Sequence, residues 1–185
     1  MYKNSIRSEK MIQNAVVDLL SEKKDINKIT VSEVVIRADV NRGTFYNHYK
    51  DIRDVLSHLE NEIMASFMEK WKASVLREGA RFDCFIKDLV STFIQNEDLM
   101  RKLFRSLPHD VFDDVKIKIH NVFLNDFSLS FMNREEKASV MFASNGIAGA
   151  FLDYFLGKSA FSLQEIGEYA ISFARKINLS GTTLK

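Results

Sequence analysis

Between Asn41 and Lys50 the sequence NRGTFYNHYK concentrates side chains that can donate hydrogen bonds. Three hydroxyls, two amides, an imidazole and two cations lie within ten residues, and Gly43 leaves room for close approach of another molecule. Phosphate oxygens take half or more of the hydrogen bonds at protein–DNA interfaces, while Arg and Asn can also bind base edges. The segment therefore predicts a helix that lies against DNA, although a polar surface helix is an alternative. The candidate contacts are Thr30, Asn41, Arg42, Gly43, Thr44, Tyr46, Asn47, His48, Tyr49 and Lys50.

Two short helices joined by a turn are expected to position these side chains. Thr30 followed three residues later by Glu33 is the pattern of a capping box, in which each side chain accepts a backbone N–H. Asn41 is a favourable N-cap for the second helix. On that helix Phe45 and Tyr49 share one face, which we expect to be the inner one. The apolar stripe of the first helix comprises Val31, Val34, Val35 and Ala38.

This stretch resembles the helix-turn-helix of the TetR family of transcriptional regulators. That family typically has the pattern iTv-x-x-I-a-x-x-A-g-v-s-x-g-t-F/L-Y-x-H-F, and the similarity extends over roughly residues 8 to 60. It implies a DNA-binding domain over residues 1–52 and a helical ligand-binding and dimerisation domain over 53–185. It further implies a cytoplasmic homodimer that binds a palindromic operator. Members of the family usually act as repressors, so repression is the expected effect. The matching residues are Ile29, Thr30, Val31, Val34, Ala38, Val40, Gly43, Thr44, Phe45, Tyr46, His48 and Tyr49.

Two positions depart from the family pattern. Asp39 stands where the family usually has Gly, which affects the turn. Ile52 stands where family members usually carry a Lys that contacts a phosphate, and the neighbouring Lys50 or Arg53 are the available substitutes. This leaves an alternative open, because some proteins of this fold, such as the coactivator of dihydroxyacetone kinase genes, bind another protein instead of DNA.

Composition favours an all-α fold, since one Pro and seven Gly in 185 residues leave little room for strands and turns. Residues 1–53 contain ten Lys or Arg and seven Asp or Glu, a modest basic bias of +3 in a chain of net charge +1. About nine helices are expected, with a three-helix DNA-binding head joined by a long helix to the remainder. Outside the recognition motif, the expected helices are 8–23, 51–76, 81–96, 99–107, 108–128, 134–156 and 163–178.

Catalysis is not expected. The four histidines show no metal-binding spacing, and the sequence contains no GxSxG, P-loop or GxGxxG motif, so neither a metal nor a cofactor is predicted. The single Cys84 excludes an intramolecular disulfide and fits a reducing cytoplasm; a buried structural thiol is favoured over a redox sensor. No run of 18 apolar residues predicts a membrane span.

The last two long helices are the expected dimer interface. The penultimate helix is rich in small residues, including Gly146 and Gly149, which let another helix approach closely. In the TetR family the corresponding helices pair with those of a second subunit. The alternative is that they complete the core of the monomer.

A small apolar effector is the remaining hypothesis. Fourteen of the fifteen phenylalanines lie after residue 60, and methionines accompany them. Such residues can line a pocket for an apolar ligand, although Phe at helical spacing is more often core. The candidate lining residues are Phe67, Trp71, Phe104 and Phe123.

Overall fold

The structure is a computed structural model that describes residues 2–79, 81–106, 117 and 133–177. Over these residues the chain forms eight α-helices and one short 3-10 helix, with no strand, which confirms the all-α class and lies close to the expected count of nine helices. The helices are α1 (Tyr2–Lys23), the 3-10 helix (Ile26–Lys28), α2 (Val31–Arg37), α3 (Arg42–His48), α4 (Ile52–Glu78), α5 (Phe82–Gln95), α6 (Glu97–Ser106), α7 (Arg134–Phe155) and α8 (Leu163–Lys176).

Three of the helices begin at capping boxes that the sequence predicts. In each, the N-cap side chain accepts the backbone N–H of the third helical residue, whose carboxylate accepts the N-cap N–H in return. These two hydrogen bonds satisfy backbone N–H groups that have no partner within the helix. Two residues of the sequence are therefore enough to specify where the helix begins. The pairs are Thr30 with Glu33 on α2, Asn133 with Glu136 on α7, and Ser162 with Glu165 on α8.

Other helix boundaries differ from the expected ones. The first helix begins at Tyr2 instead of residue 8. Its first residues are polar and give no apolar stripe that would predict a helix, but they include no helix-breaking residue either. The sixth begins at Glu97, directly after Asn96, two residues earlier than expected. The helix expected over 108–128 lies outside the described residues.

The chain divides into two compact units. The first comprises the chain up to Met64 together with the segment that begins at Asp98. The domain boundary at residue 52 stays a prediction. Its core is built mainly from α1, α2 and α3 and the first turns of α4. Phe45, Val34 and Val55 are completely buried there.

The second unit comprises Ala65–Glu97 and the described residues from 133 onward. Here α5 packs along α8, and the approach is close at Gly167, where an added Cβ would lie 2.6 Å from Cγ1 of Val90. The ring of Phe93 packs edge-on against Phe151 and Phe155 of α7. Aromatic contacts between α5 and α7 and close packing between α5 and α8 therefore hold this unit together.

Candidate nucleic-acid interface

The turn between α2 and α3 sets the direction of the candidate recognition helix. Asp39 adopts a left-handed backbone conformation with φ of 51°, which Asp tolerates better than most residues. Asn41 then caps α3, and its Oδ1 accepts the backbone N–H of Thr44 at 2.7 Å and the Thr44 hydroxyl at 3.1 Å. The Asn41 and Thr44 side chains are thus held together at the start of α3.

The inner face of α3 is anchored by two aromatic rings, as the spacing predicted. Phe45 is completely buried, and Tyr49 directly after the helix is 2% exposed. The Tyr49 hydroxyl donates to Glu9 Oε1 at 3.5 Å, its ring packs edge-on against His58, and burial raises its pKa. Tyr49 therefore lies apart from the other candidate DNA contacts, because its hydroxyl faces a protein carboxylate.

The outer face of α3 is open. Arg42, Gly43, Tyr46, Asn47 and Lys50 are all exposed, and Tyr46 reaches 56% exposure while its ring rests edge-on against buried Phe45. A side chain that stands on a buried ring in this way keeps a fixed direction with its hydroxyl in solvent. Four of the ten candidates are therefore exposed along α3, and Lys50 is exposed just beyond its end.

Arg42 is oriented by a contact across the motif. Its Nη2 donates to the Oγ of Ser32 on α2 at 2.7 Å, which holds the guanidinium beside the recognition helix. Only part of the five-donor guanidinium is used by this bond, so donors remain for a base edge. No local sequence pattern predicts that Ser32, ten residues before Arg42, is its partner.

A polar groove runs between the amino-terminal end of α1 and α3. The Ser8 hydroxyl lies 3.0 Å from Nε2 of His48, joining the two helices across its floor. The contributions of α1 were missed by the sequence analysis, because no local pattern links residues 40 positions apart. The groove is lined by Ser5, Arg7, Ser8, Met11, Asp39, Val40, Asn41, Thr44, Asn47 and His48.

Thr30 is occupied by its capping role. Its hydroxyl and backbone N–H both contact Glu33, and Lys23 Nζ lies 2.5 Å from the same carboxylate. The hydrogen bond from Lys23, followed by those from Thr30, lowers the pKa of Glu33 to about 2. A DNA contact by Thr30 stays a prediction.

The position at which the TetR pattern has a Lys is part of the core. Ile52 is 7% exposed and belongs to the hydrophobic cluster of the first unit. The neighbouring Arg53 donates to Asn27 Oδ1 at 3.0 Å, and both Arg53 and Lys50 are exposed. Either cation is therefore accessible for a phosphate contact.

Three of the four candidate effector residues lie within the described part of the chain. Phe67 and Trp71 are buried in the second unit, where both pack edge-on against Phe85. Phe104 is half-buried on α6, in the segment that belongs to the first unit. Phe123 lies outside the described residues. Within the second unit the structure brings Phe67 and Trp71 together at Phe85, and the ligand-binding role of all four residues stays a prediction.

Aromatic side chains are exposed on α7 and α8. Phe142 is 73% exposed on α7, and Tyr169 and Phe173 on α8 are 64% and 52% exposed. Gly146 and Gly149 are also exposed, and an added Cβ at either would meet nothing within 4 Å. Both helices thus present apolar surface, and the glycines leave open space beside α7.

Other sites of chemistry are not evident in the part of the chain that is described. None of its helices combines the length and apolar character that a membrane crossing needs. The same residues contain no group of three metal-binding side chains. Cys84 is buried, and burial raises the pKa of its thiol to about 11, which makes it a poor nucleophile.

Comparison with known proteins finds a short sequence match and a likeness of fold. No family profile matches the chain. A 64-residue segment, 35% of the chain, is 30% identical to the uncharacterized HTH-type transcriptional regulator YxbF of Bacillus subtilis (strain 168), but it spans only 17% of that protein's length. A TetR transcriptional regulator from Streptococcus agalactiae 2603V superposes over 93% of this chain and 96% of its own, with a TM-score of 0.53 and 20% identity. The chain therefore shares the fold of this TetR transcriptional regulator.

Proposed function

We propose that this chain is a TetR-family transcriptional regulator that binds a palindromic DNA operator as a homodimer in the cytoplasm. The observation that carries the proposal is the outer face of α3, on which Arg42, Tyr46 and Asn47 are exposed above a buried aromatic anchor. Together they offer hydrogen-bond donors for base edges and for phosphates. Gly43 has no side chain, so the helix can enter a major groove closely.

Dimerisation through α7 and α8 is the second part of the proposal. Exposed Phe142, Tyr169 and Phe173 form apolar surface that a second copy would cover, and the open space at Gly146 and Gly149 would admit its helices. A two-fold dimer would place two copies of α3 about one DNA turn apart, so the operator would be a near-palindrome.

Repression relieved by a small apolar effector is the third part. The support is limited to the aromatic composition of the second unit, in which Phe67 and Trp71 are buried. A ligand beside them would have to displace their packing against Phe85. Such a ligand would act only if it bound the DNA-competent and DNA-incompetent states with different affinity.

Electrophoretic mobility with DNA from the region upstream of the protein's own gene tests the proposal. We expect a shift by the wild type, loss of the shift with Tyr46→Ala, and an unchanged shift with Leu76→Ala, which removes an 89% exposed side chain from α4. Melting temperatures of all three proteins would verify folding. A wild type that never shifts upstream DNA would refute the proposal.

Binding to another protein instead of DNA is the second candidate function. The burial of Ile52, where the family pattern has a phosphate-contacting Lys, favours it. The inner face of α3 would persist in such a protein, because Phe45 and Tyr49 serve the fold. The same mobility experiment separates the two candidates, since a protein-binding coactivator would give no shift with any DNA.

A further inference from the structure

One hydrogen bond joins the first turns of α2 and α3. Arg42, the first residue of α3, donates from Nη2 to the Oγ of Ser32, the second residue of α2, at 2.7 Å. A guanidinium carries only donors, so the Ser32 oxygen must be the acceptor. The Arg42 side chain, which is exposed, is therefore held by a side chain of the neighbouring helix.

Both ends of this hydrogen bond are attached to well-fixed backbone. On α2, Ser32 lies inside the capping box that Thr30 forms with Glu33. The Glu33 carboxylate also pairs with Lys23 of α1, which ties the start of α2 to a further helix. On α3, the N-cap Asn41 fixes the helix start directly before the arginine. The position of the acceptor and the root of the donor side chain are therefore both set by the fold.

Ser32 orients Arg42 without neutralising its charge. The nearby Arg37 of α2 shows the contrast, because its Nη1 and Nη2 donate to the two carboxylate oxygens of Glu22 at 2.7 and 2.9 Å. Within the part of the chain that the structure describes, Arg42 has a neutral partner and no acidic one. The bond to Ser32 engages one nitrogen, which leaves donors for the two acceptors of a guanine edge, O6 and N7.

We propose that Ser32 is a positioning residue for base recognition, which holds Arg42 ready to contact a guanine of the operator. The inference rests on the proposed function, and it makes α2 a contributor to sequence specificity. Immobilising a long side chain on binding costs free energy, and a side chain that is already held loses less freedom. The gain is realised only where Arg42 meets its base, so Ser32 affects discrimination at that base pair.

The test measures discrimination base pair by base pair. The probe is an operator that the wild type selects from random double-stranded DNA, together with its singly substituted versions, and fluorescence anisotropy gives the affinities. Arg42→Ala identifies the base pair at which discrimination depends on the arginine. We expect Ser32→Ala to lower discrimination at that same base pair about threefold per half-site and to leave the other positions unchanged. Ser32→Thr, which keeps the hydroxyl, should retain wild-type discrimination.

Two comparisons separate positioning from a general structural role. In an Arg42→Ala background, Ser32→Ala should cause no additional loss of discrimination, because its effect passes through the arginine. Ser21→Ala is the matched control, since the Ser21 hydroxyl donates to the Val17 carbonyl oxygen of its own helix at 3.0 Å, and it should change nothing. Alanine is a good helix former, so the Ser32→Ala protein should fold, which its melting temperature would verify.

Several results would overturn the inference while leaving DNA binding intact. They are a Ser32→Ala protein with wild-type or improved discrimination, a loss spread evenly over all base pairs, and an equal loss in the Arg42→Ala background. An Arg42→Ala protein that loses discrimination at no single base pair would overturn it as well. A wild type that binds no DNA would instead overturn the proposed function, and the inference with it.

Discussion

The glycines of α7 give a quantitative test of the proposed dimer. Gly146 and Gly149 lie one turn apart on an exposed face, and an added Cβ at either meets nothing within 4 Å. In an isolated protomer, replacing both by Ala should stabilise the helix by about 0.8–1.0 kcal/mol per site, or about 2 kcal/mol together. For a chain of this size the melting temperature of a protomer would rise by roughly 4–8 °C.

In the proposed dimer the methyl groups of the two introduced alanines would meet a helix of the partner subunit. Overpacking of a well-packed contact costs about 1–3 kcal/mol. The dissociation constant of the dimer should therefore increase by a factor between about 5 and about 150. The Gly146→Ala, Gly149→Ala protein would thus form a weaker dimer of more stable protomers, a combination that no change confined to the protomer core would produce.

Sedimentation equilibrium and thermal unfolding over a range of protein concentrations would measure both quantities. Gly167→Ala is the matched control, because there the new Cβ would lie 2.6 Å from Cγ1 of Val90 within one protomer. It should lower the melting temperature, and Val90→Ala should partly restore it. A Gly146→Ala, Gly149→Ala protein that dimerises as tightly as the wild type would refute the placement of α7 in the interface.

Three further outcomes follow from the same structure. Arg42→Ala should reduce discrimination at one base pair of each half-site by about 1–3 kcal/mol, measured by binding to a set of singly substituted operators; a uniform loss would contradict base contact. Lys50→Ala should weaken binding to all sequences and lower the salt slope by roughly 1 per half-site, whereas an unchanged slope would exclude a phosphate contact. The folded pKa of Glu33, about 2 against an ordinary 4.5, means that its ionised form stabilises the fold above pH 4.5 and that this contribution disappears as the pH falls toward 2. Glu33→Gln should flatten the acid side of a urea-unfolding profile, and an identical acid profile would contradict the role of its pairing with Lys23.

Local signals made the helical framework predictable. Each capping interaction joins residues only three positions apart: Thr30 with Glu33, and Asn41 with Thr44. A short stretch of sequence therefore contains the whole interaction. The inner aromatic face of α3 was likewise predictable from the spacing of Phe45 and Tyr49. Helix starts without such signals, as at Tyr2, were not predictable to the residue.

Tertiary contacts account for what the sequence could not supply. The burial of Tyr49 was predicted from its spacing to Phe45, but the partner of its hydroxyl, Glu9, lies 40 residues away in the sequence. The contact of Ser8 with His48 spans 40 residues and leaves no periodic pattern. Ile52 looked like a lost phosphate contact in the sequence, and only the fold shows that it fills the core.

Selection of the full-length protein's binding sites from random double-stranded DNA tests the central claim most directly. If the outer face of α3 binds DNA in a symmetric dimer, the enriched sequences should contain an inverted repeat whose half-sites are centred about 10 base pairs, or a multiple of that, apart. Tyr46→Ala in the same selection should enrich nothing. Failure of the wild type to enrich any sequence would contradict the assignment as a DNA-binding regulator, and enrichment of a single unrepeated site would contradict the dimer.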